Sequence, residues 1–463
     1  MFLAFSCNAN TKTNKEYIVL KSSITENTTP KDLVIDSVID LNGGSIELPA
    51  CSTLIFEGDG SFHNGRVYID NITSSIVGGY GIFDNIELTL KQNTNNPAKS
   101  SLPYINAHWF GAKSIDNIDN TNAIQKAIDA GHSLSVPVYL PRGYYRIYKT
   151  IRLYEGDMLK GDDIGRITPN HQDGATFIRY CGNEQEMVSV EGNNVSIENI
   201  LLASSSLYLV DGISLKNNAG LYFYMNNVLI ANAKYGVNCK LMKNEGFSGC
   251  VWDKVTIWRC VRGLSVDIGK DKGQYVTYNC FNNLYVSSVK EKGIYLHCRA
   301  INSCVFRDCL FDNISYGPAF DEVYKKSEKA AIHVLNEAKQ GSVIVDGGYF
   351  ENIYYCKESE PSSTYDDSLS SVFFINNVNM SISNVRFANT RTIVNSRGID
   401  NVRIVSCIDN GYLRSQSTEK IPICKANENT VFEIDNYVFV ENGKDYYSTS
   451  RGDIKYFKVN CIR

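Results

Sequence analysis

Asn227-Val-Leu-Ile-Ala-Asn232 decides how this chain folds, because the phrase returns. It recurs as Lys254-Val-Thr-Ile-Trp-Arg259, Asn283-Leu-Tyr-Val-Ser-Ser288 and Asp308-Cys-Leu-Phe-Asp-Asn313, then as Asn384-Val-Arg-Phe-Ala-Asn389 and Asn401-Val-Arg-Ile-Val-Ser406. Looser copies stand at Asn199-Ile-Leu-Leu202 and Gly347-Gly-Tyr-Phe-Glu-Asn352. The central copies are spaced about 25–30 residues apart, the length of one solenoid coil. A unit this short cannot bury its own apolar face, so it must stack on its neighbours. The asparagines Asn232, Asn313, Asn352 and Asn389 then share one place in the coil, with Arg259 and Ser288 as variants, and read as a hydrogen-bonded structural ladder rather than catalytic groups.

After the phrase comes a small residue and a second strand: Gly212-Ile-Ser-Leu-Lys216, Gly236-Val-Asn-Cys-Lys240, Gly263-Leu-Ser-Val-Asp267, Gly293-Ile-Tyr-Leu-His297 and Ala331-Ile-His-Val334. Apolar residues alternate inward, which turns Ser214, Lys216, Asn238, Lys240, Ser265, Asp267, Tyr295, His297 and His333 outward. Coils about 4.8 Å apart would bring these side chains to one strip. Arg262, Lys292 and Tyr316 stand at the preceding turns and Arg299 follows His297, so they would line its wall. The chain has six histidines, and two of them fall in this strip. The long insertions 318–329 and 357–367 follow the same coils and would wall the strip, and their Tyr324 and Tyr365 are candidates for stacking on a ligand.

Further out, residues 33–95 alternate with period two and are punctuated by glycine and asparagine, as short strands are. Residues 92–103 form a polar linker. In Asp119-Asn-Thr-Asn-Ala-Ile-Gln-Lys-Ala-Ile-Asp-Ala-Gly131, the residues Ala123, Ile124, Ala127 and Ile128 share one helical face. Asn120 or Thr121 is the expected N-cap and Gly131 the expected stop. Residues 138–147 read as strand, turn, strand, and residues 411–463 as strands without the asparagine phrase. The expected organisation is a tether over 1–32, an N-terminal β region over 33–100, a parallel β-helix over 101–410 and a C-terminal β cap over 411–463.

Phe110-Gly-Ala-Lys113, the helix segment and Val138-Tyr-Leu-Pro-Arg-Gly-Tyr-Tyr145 together resemble the leading segment of the pectate-lyase-like right-handed parallel β-helix superfamily. The glycine-rich strands before them are similar to β-helix polysaccharide lyases and glycosidases of Bacteroidetes. The resemblance spans about residues 33–410. It implies an all-β fold with an N-terminal capping helix and small flanking β regions. Relatives usually carry a second aspartate where this chain has Asn120, which is read here as a helix cap only.

Net charge is −4, which disfavours a nucleic-acid partner. No apolar run reaches about 18 residues, so no transmembrane helix is expected. Met1-Phe-Leu-Ala-Phe-Ser-Cys7 resembles the end of a bacterial lipoprotein signal, with Cys7 as the lipidated residue, although no basic segment precedes it. Export to the periplasm or surface of a Gram-negative cell follows from that reading. The fourteen cysteines lack a Cys-x-x-Cys pair and sit beside strand phrases, so most read as buried free thiols.

Three activities fit these residues. The first is a polysaccharide lyase acting by β-elimination on a uronate-containing chain such as a glycosaminoglycan. Lys240, Arg262 or Arg299 would neutralise the carboxylate, His297 or His333 would take the proton, and Tyr295 would serve as acid or base. Asn238, Asp267, Lys292 and Tyr316 would complete the substrate contacts. The second is a glycoside hydrolase, for which Asp267 needs a partner carboxylate from a loop: Glu245, Glu291, Asp321 or Glu322. The third is a non-catalytic glycan-binding solenoid. Asp253 and Asp346 read as turn residues. No obligatory cofactor is expected, with calcium left as the alternative. The expected partner is an anionic poly- or oligosaccharide, and the chain would be a monomer or small homo-oligomer.

Overall fold

In a computed structural model of the chain, the residues described are 32–91, 99–115, 117–165, 174–217, 219–241, 245–269, 274–314, 328–338, 341–353, 370–390, 392–409, 424–425 and 430–439, with short strands at Ala4–Phe5, Ile18–Val19 and Phe457–Cys461. Cys7, Tyr316, Asp321, Glu322, Tyr324 and Tyr365 lie outside them. No described helix is long and apolar enough to cross a membrane. The chain divides into two compact units, Met1–Gly182 with Val195–Leu201, and Asn183–Asn194 with Leu202–Arg463.

The first unit opens with the leading β region. Strands Asp32–Ile35, Thr53–Phe56 and Ser75–Val77 pair in parallel, as do Ser45–Glu47, Ser61–Ile69 and Phe83–Leu90. Phe56, Phe62 and Phe83 fill the space between these sheets. The helix α1, Thr121–Leu134, follows. Ile124, Ala127, Ile128 and Leu134 are buried on its inner face. On one side Lys126 Nζ donates to Asn85 Oδ1 (2.8 Å). On another, Arg152 N donates to Gln125 Oε1 (2.8 Å), so the helix covers strand ends of both the leading region and the first coils.

Both ends of α1 differ from expectation. Asn120 is the N-cap by position, but its side chain accepts from Lys113 N (2.7 Å) and leaves the helix uncapped. Asp119 Oδ1 accepts from Thr121 N instead (2.9 Å). Gly131 does not stop the helix. It lies inside it, where a Cβ would come within 2.4 Å of the Val138 side chain, and Ser135 (φ 54°) makes the turn.

The second unit is a stack of coils. One sheet, on which the rest depends, contains in order β1 (Glu186–Val190), β2 (Asp211–Lys216), β3 (Tyr235–Lys240), β4 (Arg262–Gly269), β5 (Lys292–Cys298), β6 (Lys329–Asn336), β7 (Ser370–Asn376), β8 (Thr392–Ser396) and β9 (Cys424–Lys425). Every pairing in it with a stated register is parallel. Val188, Ile213, Val237, Leu264, Ile294, Ile332, Phe373 and Val394 share one register row and are buried. Glycine precedes this row because the coils nearly touch there. A Cβ on Gly263 would lie 2.3 Å from the Gly293 carbonyl oxygen.

The asparagine phrase proves to be a short strand bracketed by two left-handed corners. Asn227 and Asn232 have φ of 52° and 61°, Asn283 and Ser288 50° and 55°, Asp308 and Asn313 50° and 52°. Asparagine tolerates this conformation because its short side chain bonds locally or to the next coil. The side-chain ladder is mixed in composition. Asn389 donates to Asn352 (3.1 Å), but Asn352 donates to Asp312 (3.1 Å), as does Asn313. Asp253 and Asp346 serve the neighbouring corner, accepting from Asn283 (3.0 Å) and Asn384 (2.9 Å). Asn401-to-Ser406 is out of step with the other copies. Asn401 pairs with Asn379 in mid-sheet, and Ser406 (φ 53°) is the corner that follows Asn384. All eleven described cysteines are free thiols, and eight of them are buried.

Candidate active site

The outward face of β2 to β7 carries two rows of side chains. Ser214, Asn238, Ser265, Tyr295, His333 and Phe374 are successive register partners. Beside them run Lys216 and Lys240, then Asp267 and His297. Tyr295 and His297 therefore point away from the solenoid interior, and their ring centroids are 6.2 Å apart.

Tyr295 stands at the centre of the face. Its ring lies 4.6 Å from the Arg262 guanidinium carbon and 5.0 Å from Lys292 Nζ. His333 meets it edge-on at 5.4 Å. The ring is 9% exposed, and burial holds its hydroxyl protonated well above the ordinary tyrosine range. Arg262 Nε and Lys292 Nζ (3.1 Å) both donate to Glu291. Burial works against the Glu291 charge, but the two cations prevail and hold its carboxyl at about 2. Burial also pulls Lys292 down, and takes the neighbouring Lys329 to about 8.

The two histidines have opposite surroundings. His297 Nδ1 is 2.8 Å from Asp267 Oδ1, and its Nε2 is 3.0 Å from Glu337 Oε1. The Asp267 bond raises the imidazole above its ordinary value and lowers Asp267 in return. Glu337 is brought there because the turn after β6 stacks on the turn after β5, with Glu337 N donating to Cys298 O (3.1 Å). His333 is 2% exposed. Burial, seconded by Lys292 and Arg397, pushes its imidazole well below the ordinary range. Its Nε2 lies 3.6 Å from Glu328, which also pairs with Arg397, and its Nδ1 has no hydrogen-bond partner.

Lys240 sits in a separate cluster. It bonds Asp211 Oδ2 at 2.8 Å and approaches Glu186 Oε2 at 3.4 Å. Lys216 pairs with Glu186, and Asn238 donates to Asp211 (2.8 Å). Arg299 lies at the turn after β5, where its carbonyl accepts from Ala338 N (2.6 Å). Among the described residues no hydrogen bond or ion pair joins the Arg299 side chain to the face. Tyr316 falls outside the described residues.

Strict alternation placed one carboxylate, Asp267, on this face. Glu186, Asp211, Glu291, Glu328 and Glu337 join it and offset the cationic bias expected there. Of these only Glu291 is a candidate from sequence, as a loop partner in the hydrolase reading; the other four were missed, because they lie at strand starts or in turns, where alternation gives no direction. The available signal was position: Asp211 and Glu291 stand one and two residues before the glycine that opens the inward row. Among the described residues, no group of three or more His, Cys, Asp or Glu side chains is placed to hold a metal ion.

Residues 104–317 match the family described as rhamnogalacturonase A/epimerase, pectate lyase-like. No curated protein sequence matches the chain. Among solved structures, the gp42 tailspike of Acinetobacter phage vb_AbaP_AS12 is similar at 13% identity and a TM-score of 0.52, over 80% of this chain and 63% of the tailspike, so the chain spans less than two thirds of its length. The Agl-KA catalytic domain (13% identity, TM-score 0.44, 81% of this chain and 69% of that one) is also similar. So is the Azotobacter vinelandii mannuronan C-5 epimerase AlgE6 A-module (14%, 0.35, 77% and 100%). At 13% identity the tailspike likeness is one of fold alone. The family match, which covers somewhat less than half of the chain, and the coil architecture agree on a parallel β-helix fold.

Proposed function

We propose that the Tyr295 face acts on a uronate-containing polysaccharide and cleaves it by β-elimination. The observation that carries this reading is the opposite perturbation of His297 and His333, both of which neighbour one tyrosine. Two like groups driven apart by their surroundings take the roles of acid and base. Neutral His333 is the base in this reading: Glu328 beside Nε2 favours the tautomer with Nδ1 unprotonated, Nδ1 has no hydrogen-bond partner, and because that atom is buried in the free protein the substrate must open the face to deliver its C5 proton there. Arg262 and Lys292 share one carboxylate between them, which leaves one positive charge to neutralise the uronate group. The C5–H electrons form the C4–C5 double bond as the C4–O bond breaks. The departing oxygen takes a proton from the His297 imidazolium or the Tyr295 hydroxyl.

The family description names an epimerase, and epimerisation shares the first step. The C5 proton leaves in both reactions and returns from the opposite face in the second. A polymer substrate places the protein outside the cytoplasm. Hydrolysis is the second reading, favoured by one observation: Asp267 and Glu337 flank a single imidazole and are the more open carboxylates of the face.

The test is incubation with alginate, pectate and chondroitin sulfate in deuterated water. New ultraviolet absorbance from unsaturated ends supports elimination, and deuterium at C5 without absorbance supports epimerisation. New reducing ends without either move the protein to the hydrolase reading. Full elimination activity in His333→Ala removes the base assignment.

A further inference from the structure

One corner of the second unit carries two exposed tyrosines in alternate coils; among the described residues, Tyr208, Lys254 and Arg259 are the other large residues at left-handed positions of this unit. Tyr222, Gly249, Tyr278 and Ser303 occupy equivalent left-handed positions in successive coils, with φ of 56°, 67°, 54° and 53°. Their main chains are tied coil to coil: Tyr222 N donates to Ser248 O (2.9 Å), Gly249 N to Thr277 O (3.1 Å) and Tyr278 N to Asn302 O (3.2 Å). Elsewhere in this unit such corners are mostly asparagine or another small polar residue. A tyrosine is a poor choice here, because its Cβ crowds the backbone and no local hydrogen bond compensates. Strained residues that the fold does not require point to function. Both rings are also left in solvent, Tyr222 at 60% and Tyr278 at 71% exposure.

The residue between them explains the arrangement. A Cβ on Gly249 would lie 2.7 Å from the Tyr222 ring, so the ring lies across the glycine, toward the coil that carries Tyr278. Two coil steps separate the tyrosine backbones by about 10 Å. Between the coils, Ser248 Oγ and Thr277 Oγ1 share a hydrogen bond (3.0 Å) just inside the corner. Two aromatic faces at a regular interval, with hydroxyls between them, suit a repeating ligand that has both apolar faces and hydroxyls. A protein partner would call for a contiguous apolar patch instead.

We propose that Tyr222 and Tyr278 form a second carbohydrate-binding surface, distinct from the Tyr295 face, which receives pyranose-ring faces of a glycan chain laid along the coil axis. This rests on the reading of the protein as polysaccharide-active. It separates holding the polymer from cutting it.

The test is the double variant Tyr222→Asn with Tyr278→Asn, since asparagine occupies equivalent left-handed corners at Asn227 and Asn283. Affinity electrophoresis in gels containing alginate, pectate or chondroitin sulfate gives apparent Kd values. Turnover of a short oligosaccharide cut from the retarding polymer is measured alongside. The expected result is a rise in Kd of fivefold or more, with oligosaccharide turnover unchanged. Equal retardation of wild type and double variant overturns the proposal and leaves the Tyr295 reading standing. A wild type that neither binds nor turns over any of the polymers loses both.

Discussion

His297 stands two residues along the strand from Tyr295 and His333 is the register partner of Tyr295 on the next strand, and their surroundings drive their protonation in opposite directions. Asp267 and Glu337, at its two nitrogens, raise His297 above its ordinary value. His333 is neutral because it is buried beside cations.

This sets the pH profile. With His333 as base and His297 as acid, kcat/KM should show a broad plateau spanning the ordinary histidine value of ~6.5, with the acid limb well below it and the alkaline limb above it; with Tyr295 as the acid the alkaline limb moves further up. A narrow optimum with both limbs on one side of that value contradicts the assignment.

The same groups shape stability. His297 binds its proton more tightly when folded, so its contribution is fully present below the unfolded value of ~6.5 and is lost as pH rises through the folded value. His333 binds more weakly when folded, so its contribution is present above ~6.5 and is lost as pH falls. Asp267→Asn should lower the alkaline limb of both activity and stability, read by a pH-rate series and by thermal unfolding. An unmoved alkaline limb would mean that Asp267 does not hold the His297 proton.

Glu291→Gln should destabilise by about 3–5 kcal/mol, because it strips a buried carboxylate from Arg262 and Lys292. Since Glu291 is held at about 2, its contribution is present above the unfolded value of ~4.3 and is lost as pH falls toward 2. Denaturant unfolding of wild type and variant at pH 7 and pH 3 should give a smaller difference at pH 3.

Gly263→Ala should cost about 1–3 kcal/mol or more, because its Cβ would meet the Gly293 carbonyl oxygen at 2.3 Å and the stack cannot open at one coil alone. A variant as stable as wild type in urea would show that the coils have slack at this position.

Asn352→Ala should cost about 1–2 kcal/mol, since alanine strains the left-handed corner. It also removes the bonds to Asp312 and Asn389. The shift in urea midpoint should exceed that of Asn352→Gly, which keeps the corner and loses only the side-chain bonds.

Much of the candidate site was legible in the residues alone. Tyr295, His297, His333 and Asp267 come to one face because their strands repeat a period-two pattern in a common register, and Arg262 and Lys292 join them from the strand starts before it. What alternation could not show was who neutralises whom. Lys240 looked like a cation awaiting substrate, but Asp211 and Glu186 meet it from strand starts on two other coils. The helix stop was misread at Gly131 because the reason for that glycine, the Val138 side chain, lies in a later strand.

The repeated phrase by itself determined a stack of coils with outward rows of polar side chains, because period and alternation are local properties of a chain. Only the tertiary structure decided which histidine holds its proton more tightly and which more weakly. That depends on burial and on carboxylates from neighbouring coils, up to 40 residues away as between His297 and Glu337, and no local pattern encodes it.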